Sequence, residues 1–186
     1  MRQLTSASLI LLATFVASCG QANGEDTRAR FEQSDRIVAS WERISQARID
    51  FCKAIKPAAS IQPSGHAHVQ PAFEKYKSAV AEAKANLSKT PAMSTGSSRE
   101  LKAAFSAFVA VEESVVLKEY EAIASKLQAD TLSVLDRFRV VAAMMKAENA
   151  SDEPGKRLVK AALGFAKELE QFAEEQEQLR SRALLR

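Results

Sequence analysis

Cysteine and histidine are scarce in this chain of 186 residues: it has two of each, Cys19 and Cys52, His66 and His68. Without a Cys-x-x-Cys-His run there is no c-type haem attachment. Without a Glu three residues before either histidine there is no Glu-x-x-His pair, the usual metal motif of helical bundles. Pro63 and Gly65 occupy those places. No Gly-x-Ser-x-Gly and no phosphate-binding glycine loop occur. Alternating β-branched runs bounded by turn residues are missing too, which removes the strand signal. Six glycines and five prolines are few for this length, and long stretches carry neither.

What is present is helical periodicity. Phe31, Ile37, Val38, Trp41, Ile44, Phe51 and Ile55 recur at helical spacing, which predicts a first helix over 25–56, ended by Pro57. Arg48 falls on that stripe and is expected to snorkel its charge to the surface. A linker is expected from Pro57 to Gln70, with the second helix beginning at Pro71. Phe73, Tyr76, Val80, Ala83 and Leu87 then alternate by three and four, the narrow stripe of helices packed side by side. Ser97 and Glu100 fit a capping box after the loop around Gly96. From there to Glu153 neither Gly nor Pro occurs. An apolar stripe runs through Leu101, Phe105, Val109, Val116, Tyr120, Ile123, Leu127, Val134, Phe138, Val141 and Met145. One unbroken helix there would be about 75 Å long, roughly twice the width of a compact domain of this size, so either the domain is elongated or the helix breaks near Asp130-Thr131, with the break the preferred reading. Pro154 should open the last helix, in which Leu158, Ala162, Phe165, Leu169, Phe172, Gln176, Leu179 and Ala183 keep a four-three rhythm. The fold class is therefore all-α: an elongated antiparallel bundle of four to five helices over residues 27–186.

Few side chains are candidates for chemistry. His66 and His68, in an extended linker, would point the same way and are the weak candidates for a metal. Glu112 and Glu113 lie beside the long stripe and read as exposed helix carboxylates. Glu168, Glu170, Glu174, Glu175 and Glu177 read as a solvated acidic face. Met144-Met145 could bind soft copper only if both faced one site, which adjacent helical residues do not. No cofactor and no catalytic residue is expected.

The N-terminus carries the one specific motif. Arg2 is the only charge before Glu25, and Leu4 to Ala17 form an apolar segment too short to span a bilayer. Val16-Ala17-Ser18-Cys19 follows. This resembles the lipobox of bacterial lipoproteins. The resemblance implies that residues 1–18 are a signal peptide, that Cys19 carries diacylglycerol on its sulfur, and that a dedicated peptidase cuts before it. Residues 19–26 would be the lipidated tether. Gly20, where an Asp would favour the inner membrane in enteric bacteria, implies the outer membrane with the domain facing the periplasm. Two or three acyl chains, at about 0.8 kcal/mol per buried methylene, hold a protein stably.

Removing residues 1–18 leaves 168 residues and takes away one charge, Arg2, so 25 basic side chains face 23 acidic ones. A balance so near neutral argues against a nucleic-acid partner. With Cys19 acylated, Cys52 has no partner in the chain; a buried thiol is the expectation, an intermolecular disulfide the alternative. The functional expectation is a non-enzymatic protein-interaction module of the envelope, attached to the membrane by its lipid and facing an envelope protein. A small-ligand or lipid-binding module is the second reading, and metal binding through His66 and His68 the third. Labelled palmitate fed to cells should appear on the wild-type protein and vanish in Cys19→Ala; an unlabelled wild type would remove the anchor.

Overall fold

A computed structural model describes residues 24–59, 66–90, 96–128 and 132–184, without the side chains of 24–31, 176 and 179–184. Cys19 and the signal segment lie outside the described residues, as do Pro63, Gly65 and Asp130-Thr131. The described residues are almost wholly helical: α1 (Gly24–Ala58), α2 (His66–Lys89), α3 (Gly96–Val111), a π-helical turn (Glu112–Val116), α4 (Leu117–Lys126) and α5 (Val134–Leu184). The segments α3, π-turn and α4 form one continuous rod, so four rods make the bundle.

The cross-contacts show the antiparallel arrangement directly, because indices rise on one helix as they fall on its neighbour. Between α1 and α2, Arg43 meets Glu82 and Asp50 meets Lys75. Between the third rod and α5, Ser97 donates to Glu168, and Lys126 meets Asp136. All rods contribute to a single apolar cluster, from Ile44 and Phe51 on α1 and Phe73 and Tyr76 on α2 to Phe105, Tyr120 and Leu127 on the third rod and Leu158 and Phe165 on α5.

Helix α2 is the plainest case of sequence dictating packing. Val69, Phe73, Tyr76, Val80 and Ala83 are its buried residues, a strict four-three row. The third rod is less regular. Its buried row is Leu101, Phe105, Phe108, Glu112, Val116, Tyr120, Ile123 and Leu127, with three consecutive steps of four between Phe108 and Tyr120. In an α-helix each step of four overshoots a turn by about 40°, so the row would wind off the core. The π-turn at Glu112–Val116 takes up one extra residue and brings the row back into line.

Several boundaries differ from expectation. Helix α1 begins at Gly24, inside the expected tether, and runs through Pro57 to Ala58. Helix α2 begins at His66, five residues before Pro71. Ser97 lies inside α3, which starts at Gly96. The long third segment does break, between Lys126 and Val134. Ser133 caps the restart: the Asp136 amide donates to its Oγ at 3.1 Å, and its hydroxyl donates back to the Asp136 carboxylate at 2.6 Å. That bond, with Lys126 and Arg139 nearby, holds the Asp136 carboxyl below its usual range. Pro154 starts nothing. It sits half-buried within α5, which continues for 51 residues, about 76 Å. Proline forfeits one backbone hydrogen bond there, and packing on both sides carries the helix through.

The apolar stripe also divides at the break. Its members through Leu127 are all core, whereas Val134, Phe138, Val141 and Met145 lie outside at 71%, 68%, 52% and 59% exposure. Helix α5 reaches the core instead through Val140, Ala147, Ser151, Leu158, Ala161 and Phe165. If the π-turn is the accommodation of one extra residue, deleting exposed Ser114 should leave helical circular dichroism intact and move the melting temperature by a few degrees only. Deleting exposed Ala122 should rotate Ile123 and Leu127 off the core by about 100° and abolish cooperative melting.

Candidate functional site

The polar centre of the bundle is built where all four rods meet. Helix α1 supplies Arg48 and Cys52, α2 supplies Tyr76, the π-turn Glu112, α4 Tyr120 and α5 Ser151. The guanidinium of Arg48 donates from Nε to the Tyr120 hydroxyl at 3.0 Å and from Nη1 to Glu112 Oε1 at 3.4 Å. The same Nη1 donates to Ser151 Oγ. Tyr76 donates its hydroxyl to the second oxygen of Glu112. The Cys52 sulfur lies 3.8 Å from the Tyr120 hydroxyl. Aromatic rings wall the cluster: Tyr120 centres 5.3 Å from Tyr76 and 4.8 Å from Phe51, and the Arg48 guanidinium sits 5.8 Å from the Tyr120 ring centroid.

Glu112 is fully buried, and Arg48 keeps a fifth of its side chain exposed. Both corrections to the sequence reading have one cause. Arg48 does not carry its charge outward because a carboxylate waits for it within the bundle. Glu112 is not a surface carboxylate because the π-turn swings it inward. The signal for Glu112 was the run of four-residue steps that ends the ordinary rhythm at that position.

Burial opposes the charge on Arg48, but the facing Tyr120 and Glu112 outweigh it and the net shift is upward. Burial also raises the Tyr76 phenol far above its usual range, reinforced by the neighbouring Glu112. The Tyr120 phenol is raised by burial and held down in part by Arg48. Every side chain of the cluster contacts another member from a different rod, so the cluster ties the four rods together. Taking one partner from a buried pair costs roughly 3–5 kcal/mol, because the other charge is stranded; the partial exposure of Arg48 places this pair toward the low end.

The sequence-derived candidates fall elsewhere. His66 and His68 stand in the first turn of α2, not in an extended linker, so two positions apart they diverge by about 160° around the helix. His66 is spent on a structural contact: its Nδ1 lies 2.6 Å from the Leu127 carbonyl, an orphan acceptor at the end of α4. His68 is exposed. Among the described residues no group of three or more His, Cys, Asp or Glu side chains could hold a metal ion. Cys52 is a free, half-buried thiol. Glu113 is exposed and pairs with Lys84 at 2.7 Å. Met144 is packed against the core while Met145 faces out. Glu170, Glu174, Glu175 and Glu177 are exposed.

The second feature lies on the outside. Five of the seven large apolar side chains exposed among the described residues fall within twelve positions of α5: Val134, Leu135, Phe138, Val141 and Met145. At about 100° per residue, Val134, Phe138, Val141 and Met145 fall within about 60° of one another, about 140° from the row that meets the core. One stretch of helix thus carries two apolar faces, one against the core and one outward. No family model, no curated protein and no solved structure matches the chain.

The chain holds two tyrosines, both in the cluster, so absorbance of tyrosinate reports on this site alone. Both phenols are raised on folding, so their contribution to stability is complete below the unfolded value near 10 and is lost as pH rises above it. The folded protein should show no tyrosinate at pH 11, and its resistance to urea should fall steadily from pH 10 upward. Tyrosinate appearing near pH 10 in the folded protein would show the cluster open to water.

Proposed function

We propose that this protein is a lipid-anchored lipoprotein of the bacterial envelope, a non-enzymatic helical module on the periplasmic face that docks another protein chain. The single observation that carries the docking is the exposed row Val134, Phe138, Val141 and Met145. Its four-three-four spacing is that of a helix seam, and so dense a group of exposed apolar side chains marks an interaction surface. The polar centre supports the same reading, because its groups are consumed in holding the rods in one arrangement. The lipobox-like Val16-Ala17-Ser18-Cys19 supports the address. Helix α1 starts at Gly24, which leaves about four residues after Cys19, or some 15 Å when extended. The row lies at the other end, beside the close of α1, since α5 begins where α1 finishes. The anchor would therefore hold one end of the bundle at the bilayer, with the docking row at the opposite end.

The test is site-specific photocrosslinking in cells. A photoreactive residue replacing Phe138 should give one discrete heavier adduct, and the same residue at Glu174 should give none. No adduct at 138, or equal adducts at both positions, would overturn the docking surface.

A further inference from the structure

We infer that the chain seated on the α5 row is a second copy of this protein, paired antiparallel along Val134–Met145. The inference rests on the reading of that row as a docking surface and names its occupant. Self-complementarity, charge and area argue for it.

The row is self-complementary. A two-fold axis passing between Phe138 and Val141 sets Phe138 of each copy against Val141 of the other, and Val134 against Met145. Every layer then joins a larger side chain to a smaller or flexible one, the alternation that closes an antiparallel seam. The flanks agree. Leu135, itself 58% exposed, falls beside Ala142 of the other copy, and Arg137 falls beside Met144, so no two like charges oppose across the seam.

Charge excludes the parallel alternative. In a parallel pair the seam continues past Met145 into Glu148 and Asp152, each facing its own copy. Further along the same outer face lie Glu170, Glu174 and Glu177, which would also meet their copies. Like charges directly opposed are destabilising. In the antiparallel pair the acidic end of each α5 points away from the partner.

Area sets the strength. The five exposed side chains present roughly 500 Å² per copy, so the pair buries about 1,000 Å², the lower limit for a specific interface. The dimer is therefore weak and reversible. The Lys146–Glu119 and Arg139–Asp136 pairs flank the row; they satisfy the basic margin within each copy and leave the apolar seam to carry the association.

The experiment uses the mature acylated protein in detergent micelles, with a photoreactive residue at position 134. Light scattering should show a dimer at about 100 μM, a concentration that saturates a micromolar pair. Trypsin should then release a crosslink between the peptide carrying position 134 and the peptide 140–146, which contains Met145. Phe138→Glu should give a monomer with an unchanged melting temperature, and Leu163→Glu, on the same outer face but beyond the seam, should stay dimeric. A monomer at that concentration overturns the inference, and so does a crosslink joining position 134 to itself. A monomer whose position 138 still gives a discrete adduct of another mass in cells overturns the second copy and leaves the docking surface standing.

Discussion

Everything in this bundle turns on where one carboxylate goes. Glu112 is wholly buried, with one oxygen accepting from Arg48 and the other from Tyr76. A carboxylate cannot remain inside without such partners, and the partners come from two other helices. The pair therefore fixes the register of α1 and α2 against the third rod. Ser151 and Tyr120 fasten the same guanidinium to α5 and α4. A core of leucines would pack at many registers with little difference in energy; a buried ion pair with directional bonds fits only one. The net contribution of such a pair to stability is small, and breaking half of it is costly. Its bonds join α1, α2, the π-turn, α4 and α5 at one point.

The π-turn belongs to the same constraint. The residues from Phe108 to Tyr120 step by four three times in succession, and only a widened turn keeps Glu112, Val116 and Tyr120 all facing inward. A regular helix would turn either the carboxylate or the tyrosine away from Arg48. The irregular backbone and the polar centre thus explain each other. The same crowding accounts for the inner row of α5, where Ala147, Ser151 and Ala161 let the helix approach a centre already filled by Phe51, Tyr76 and Tyr120.

Around the polar centre the inner face of α5 is small, at Ala147 and Ser151, while large apolar side chains near its start lie outside. Val134, Phe138, Val141 and Met145 form a stronger hydrophobic row than the one that meets the core, and a reading by hydrophobicity alone chooses the wrong face. Among the described residues that row lies outside the core.

Most of the helices were legible from spacing. The α2 row Phe73, Tyr76, Val80 and Ala83 is buried as its rhythm requires, and the break after Leu127 falls in the expected region. These follow from the local geometry of the helix, which every residue carries with it. The ends of helices were less legible: Pro71 and Pro154 looked like starts, but proline only disfavours a continuing helix, and packing overrode it. The pairing of Arg48 with Glu112 could not be read at all, because it joins positions 64 apart and depends on how three other helices are placed. The sequence by itself determined that this chain forms long helices with an apolar side, since periodicity is a property of one helix. Only the tertiary structure decided which of two apolar faces of α5 is inside, since that choice belongs to the neighbours and to the room that the buried polar centre leaves them.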